Sequence, residues 1–153
     1  MRRLLLQLKD GPFAEPILSR FASDGTLKLL AYLIVLHDPT PPPLVGIEKP
    51  EGSLHPRLLP ELAEACMAAS ERAQLLLTTH SSFFLNALRP EAVRVLYRDE
   101  PGMTQSVRAS DVQAVPDFLE EGACLGDLWL EGHFGMGAPL VRFGGPARNR
   151  TQK

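Results

Sequence analysis

The chain has 153 residues, 44% of them apolar, and a formal net charge of −2, which is about one domain's length with an ordinary globular composition. So balanced a charge sets up no broad field for a polyanion, and no apolar run approaches the roughly 18 residues of a membrane-spanning helix. Cys66 and Cys124 are the two cysteines; far apart and outside any C-x-x-C pair, they read as buried thiols in a reducing cytoplasm, not as metal ligands or a disulfide.

The opening "MRRLLLQLKDG" has too short an apolar stretch for a signal peptide, and residues 4–8 read as a short strand. "GPFAEPILSRF" holds two prolines and reads as loop. Residues 25–37, "GTLKLLAYLIVLH", are apolar nearly all round and too long for a core strand, which predicts a buried helix. Ser23 or Asp24 would cap it by accepting from the free N–H groups of its first turn, and "DPTPPP" would end it.

Residues 44–47, "LVGI", read as a central, parallel-type strand with two apolar faces. Residues 56–72 predict a helix, with Leu58, Leu59, Leu62, Ala65, Cys66 and Ala69 at helical spacing. "QLLLTT" (74–79) reads as a second buried strand, and "SSFFLNAL" (81–88) as a short helix capped by Ser81 or Ser82. "AVRVLYRD" and "MTQSVRA" alternate on either side of "EPG", which predicts two strands joined by a turn. "SDVQAVPDFLEEG" begins with a capping serine and ends in glycine, so it reads as a helix. From residue 135 on, a stretch rich in Gly, Pro and Arg is expected to fray, giving a folded region 1–135 and a flexible tail 136–153.

This alternation implies an α/β layered fold with a mostly parallel sheet, in which ligands gather at the carboxyl ends of the strands. Two strand ends carry polar residues. Glu48 follows "LVGI", where a carboxylate can hold Mg²⁺ beside a nucleotide's phosphates or simply cap a turn and pair with Lys49. Thr79, His80 and Ser81 follow the second strand, where a histidine either takes part in chemistry or is an ordinary hydrogen-bonded residue.

Three stretches, "FASDGTLKLLAYL", "LVGIEKPEGSLHP" and "LLLTTHSSFFLNAL", occur in this order. Together they resemble the C-terminal half of an ABC-type (AAA) predicted ATPase of the RecF/SMC/OLD-like class, and "GDLWLEGHFG" resembles that group's closing segment. The resemblance implies an incomplete P-loop NTPase (ABC ATPase-like) fold. It places Ser23, Asp24, Gly25 and Thr26 at the ABC signature, which reaches a partner's ATP across a dimer. It places Glu48 at the Mg²⁺-associated Walker B acid and residues 52–55, ending in His55, at the D-loop. His80 falls at the switch histidine.

Two departures accompany the resemblance. The sequence holds no G-x-x-x-x-G-K-[ST], the loop whose N–H groups and lysine cradle the phosphates. It therefore reads as an N-terminally incomplete ATPase: a fragment, a truncated reading frame or half of a split enzyme. Lys49 also stands where the family has its catalytic, water-orienting glutamate, and an ammonium has no acceptor to offer. Glu51, beyond Pro50, is a weak substitute.

The expected function is an ATP- and Mg²⁺-dependent ATPase lobe, inactive in hydrolysis alone, linked to DNA repair or defence. It would work as a homodimer or with a Walker A-bearing partner, away from membranes and in the cytoplasm. The alternative is a non-catalytic interaction module, or a degenerate fragment, that lends its signature helix in trans. Nucleic acid is a possible partner that the net charge does not support, and Arg89, Arg94, Arg98 and Arg108 read as ordinary surface charges.

Overall fold

The computed structural model describes residues 6–9, 15–99 and 101–134, which divide into two units between Leu88 and Arg89. The first unit opens with β1 (Gln7–Leu8), paired antiparallel to β2 (Ile17–Leu18). The proline-containing stretch read as loop therefore carries a short strand and a 3-10 turn, Ser19–Phe21. Pro16 sits just before β2, where its missing N–H removes no ladder bond.

Helix α1 (Asp24–Leu36) begins as its sequence predicts. Ser23 is extended, and its hydroxyl accepts from the Thr26 N–H at 3.1 Å, so Ser23 and not Asp24 is the cap. Burial is the part that differs. Leu36 is the buried residue of α1, while Ile34 is 64% exposed and Leu33 and Val35 are also open. An all-round apolar helix needs neighbours on every side, and the described residues cover one.

Strands β3 (Leu44–Glu48) and β4 (Gln74–Thr78) pair in parallel, from Leu44 opposite Gln74 to Glu48 opposite Thr78. The crossover between them is a 3-10 turn, Pro56–Leu58, followed by α2 (Leu59–Ser70). One face of the pair carries Val45, Ile47, Leu75 and Leu77, which pack with the core of Leu62 and Phe84. The opposite face carries Leu44, Gly46 and Leu76, and Leu44 and Leu76 are 56% and 65% exposed. The strands were expected to be central and buried, yet among the described residues no third strand joins the pair.

Arg72, just past α2, ties the layers by donating to the carbonyls of Leu36 at 2.7 Å and Asp38 at 2.9 Å. Helix α3 (Ser82–Leu85) is capped by Ser81, whose hydroxyl accepts from the Phe84 N–H.

The second unit is built on β5 (Arg94–Arg98) and β6 (Thr104–Arg108), the expected antiparallel pair. Asp99 closes their turn by accepting from the Met103 N–H at 2.7 Å, with Gly102 in the left-handed region at φ 87°. Two helices follow, α4 (Ala114–Glu120) and α5 (Leu125–Glu131). Ser110 does not cap α4. The capping position belongs to Gln113, and the Ser110 hydroxyl donates to Asp111 instead.

Val95, Ala109, Val115, Leu125, Leu128 and Phe134 form this unit's core. Cys66 is buried in the first unit, where desolvation pushes its thiol up to about 11. Cys124 was also expected to be buried, but it is exposed ahead of α5. The tail from residue 135 on lies outside the described residues.

Candidate functional site at the strand ends

The parallel register decides the site. Because Glu48 lies opposite Thr78, the chain leaves β3 and β4 at the same rim, and both polar segments emerge side by side. The Lys49 N–H crosses back to the Thr78 carbonyl at 2.8 Å. Lys49 then turns sharply: its φ of 45° lies in the left-handed region, as does that of Ser53 at 66°. Each costs a non-glycine residue about 1–2 kcal/mol, so surrounding contacts must hold the 49–53 loop.

Those contacts come from two sides. On the β4 side, Glu51 accepts from the Thr79 hydroxyl at 2.9 Å with one oxygen and from the His80 N–H at 3.0 Å with the other. Partial burial pushes the Glu51 carboxyl upward. The His80 N–H, its own backbone N–H, the Thr79 hydroxyl and the charge of the His80 ring outweigh that and hold it below its ordinary value. Glu51 is therefore anionic at neutral pH and engaged at both oxygens, which ties the 49–53 loop to the segment after β4.

On the α1 side, Lys28 donates to the carbonyls of Gly52 at 2.9 Å and Lys49 at 3.3 Å. Its ammonium also lies 5.6 Å from the centre of the Tyr32 ring. Gly25 faces the Ser53 carbonyl so closely that an added Cβ would collide with it.

The predicted residues thus fall into two connected sets. Glu48, Lys49 and His80 share the strand-end rim. Ser23, Asp24, Gly25 and Thr26 form the start of α1, which Gly25 and Lys28 join to the loop. The Ser23 and Thr26 hydroxyls bond each other at 2.8 Å. Beside them lies an open groove of about 400 Å³ lined by Leu8, Lys9, Ile17, Phe21, Ser23 and Thr26. His55 stands apart as the cap of the 3-10 turn, its Nδ1 accepting from the Arg57 N–H at 3.2 Å.

Sequence reasoning passed over Lys28 and the tying role of Glu51. Their partners lie 21 to 29 residues away, and no local spacing advertises such pairs. In the second unit the register sets Arg94 opposite Arg108, with Arg98 four residues along the same strand, so three of the four arginines share one exposed hairpin face.

Glu48 is an exposed carboxylate. Among the described residues no group of three His, Cys, Asp or Glu side chains could hold a metal ion. Mg²⁺ in nucleotide sites takes one or two carboxylates together with phosphate oxygens and water. The residues present do not form that site by themselves; they fit one ligand of it.

Residues 10–86, which include every predicted site residue, match the family model described as an AAA domain, putative AbiEii toxin, type IV TA system. Among solved structures, the chain is similar to one described as "Structural biochemistry of ATP-driven dimerization and DNA stimulated activation of SMC ATPases". The TM-score is 0.54, the identity 14%, and the match covers 78% of this chain and 81% of that one. This likeness is one of fold: α/β, of the P-loop NTPase type. The two chains are of nearly equal length, since the aligned shares are nearly equal. No curated protein matches the sequence. Among the described residues no helix is long and apolar enough to cross a membrane.

Proposed function

Because the chain belongs to the AAA-domain family described as a putative AbiEii toxin of a type IV TA system, we propose that it is the signature and Walker B lobe of an ATP-dependent switch. Its phosphate cradle comes from a P-loop outside these residues. One observation carries the reading: the Glu48–Thr78 register delivers the Glu48 and His80 segments to one rim. In this reading Glu48 is the Mg²⁺-associated acid and His80 the γ-phosphate sensor. Ser23 to Thr26 face a second nucleotide across a dimer, with His55 at the D-loop. The similar SMC ATPase structure concerns ATP-driven dimerization in a chain of comparable length, which supports a lobe that works in assembly. The family description favours a defence setting over DNA repair.

A second reading has its own observation. Glu51 is engaged at both oxygens; with Lys49 at the position that the resemblance gives to the water-orienting glutamate, this supports a lobe that binds and signals in trans without hydrolysing.

Calorimetry tests the shared premise. The isolated chain should bind ATP–Mg²⁺ weakly or not at all, and addition of a P-loop-bearing segment of a related ATPase should restore binding. Low-micromolar affinity of the isolated chain would sink the proposal, because phosphates would then have a cradle elsewhere.

A further inference from the structure

The loop at 49–53 is held from both sides by residues that no motif assigns. Lys28 grips the carbonyls of Lys49 and Gly52, which flank Pro50 and Glu51. Pro50 is fully buried, so the backbone between the two gripped carbonyls is anchored. Glu51 is presented from that anchored backbone to the Thr79 hydroxyl and the His80 N–H. The Thr79 hydroxyl accepts in turn from the Ser81 N–H at 3.0 Å, which carries the tie to the cap of α3. Hydrogen bonds joined through the 49–52 backbone therefore link the first turns of α1 to the segment bearing His80.

We propose that Glu51 is a positioning residue for His80, and that Lys28 makes this position depend on the start of α1. What His80 senses rests on the ATPase-lobe reading; the coupling itself does not. The backbone requires such a device. With Lys49 and Ser53 both in the left-handed region, the loop has a lower-energy conformation available whenever its holds are released. Losing the Lys28 grip would let the loop relax and withdraw the Glu51 carboxylate from His80. A displacement at the start of α1, where the signature resemblance lies, would then register at His80 without any contact between them.

The test needs no nucleotide, so it stands or falls separately from the ATPase reading. Amide hydrogen exchange and ring resonances of His80 are followed by NMR in the full chain and in Glu51→Gln, Lys28→Met and Lys28→Arg. Glu51→Gln, which removes a charge-assisted bond, should speed exchange at the His80 N–H by about tenfold. Lys28→Met should speed the same amide and shift the His80 ring signals, leaving the α2 core amides protected. Lys28→Arg keeps two donors on a similar stem and should restore most of the protection. This serves as the folding-neutral arm if Lys28→Met loosens more than the loop. A Lys28→Met chain with an unchanged His80 amide but faster exchange at Gly52 would overturn the coupling. An unchanged His80 amide in Glu51→Gln would overturn the positioning role.

Discussion

At the end of β3 a carboxylate and an ammonium stand side by side, and in the proposed ATPase reading their order governs what the rim can do. Positioning and electrostatics supply most of phosphoryl-transfer catalysis, and losing a water-orienting group lowers the rate by about a hundredfold or more. In an assembly complemented with a P-loop segment, Lys49→Glu should therefore raise steady-state phosphate release by at least that factor, with ATP affinity little changed. Glu48→Gln in that background should remove the gain. Equal turnover with Lys49 and Glu at this position would mean that another residue activates the water. Glu51 makes a prediction of a different kind. Its folded-state value lies below the ordinary 4.5, so its stabilisation is present above that pH and is lost as pH falls through the depressed value. The melting-temperature gap between the parent chain and Glu51→Gln should hold at neutral pH and close as pH drops below about 4.5. A gap that widens in acid would contradict the assignment.

Among the elements, α1 does two jobs with adjacent turns. Its cap and first turn form the signature-like end, and Gly25 and Lys28 on its inner side clamp the loop after β3. Gly25→Ala would force a methyl group against the Ser53 carbonyl, which is backbone and cannot rotate away. Such overpacking typically costs about 1–3 kcal/mol. Thermal or urea unfolding followed by circular dichroism should show a loss in that range, although alanine is the better helix former. A neutral or stabilised variant would mean that α1 and the loop are not in close contact. The parallel pair β3–β4 is an element in a different position. Parallel strands are normally covered on both faces, and the Leu44–Leu76 face lies open.

At the scale of the whole molecule, that open face, the edges of β3 and β4 left unpaired among the described residues and the exposed Ile34 side of α1 amount to an unfinished layer. Uncovered strand edges and apolar patches promote association. The chain should therefore run above its monomer mass in size-exclusion chromatography with light scattering, and addition of a P-loop-bearing partner should replace self-association with a defined complex. A stable monomer at micromolar concentration in both conditions would argue that the face is tolerated as it is.

Local chemistry made much of this protein legible from sequence. Short polar side chains ahead of apolar runs narrowed the start of α1 to Ser23 or Asp24 and that of α3 to Ser81 or Ser82, and the structure chose the first of each pair. Apolar runs bounded by turn residues located β3 and β4 within a residue, and "EPG" located the β5–β6 turn. The ordered motifs pointed to the P-loop NTPase class before any geometry was known. These signals are short in range, which is why they survive in a linear reading. Hydrophobicity says that a surface wants cover but not whether cover is there, so the exposure of α1 and of one face of β3–β4 was not legible. Cys124 and Ser110 failed for the same reason, because residue type does not reveal neighbours. Only the tertiary structure brought Glu51 to Thr79 and His80, and Lys28 to the carbonyls of Lys49 and Gly52. Those bonds join residues more than twenty positions apart: the parallel crossover makes Glu51 a neighbour of Thr79 and His80, the packing of α1 on the loop makes Lys28 a neighbour of Lys49 and Gly52, and both are properties of the fold, not of any segment within it.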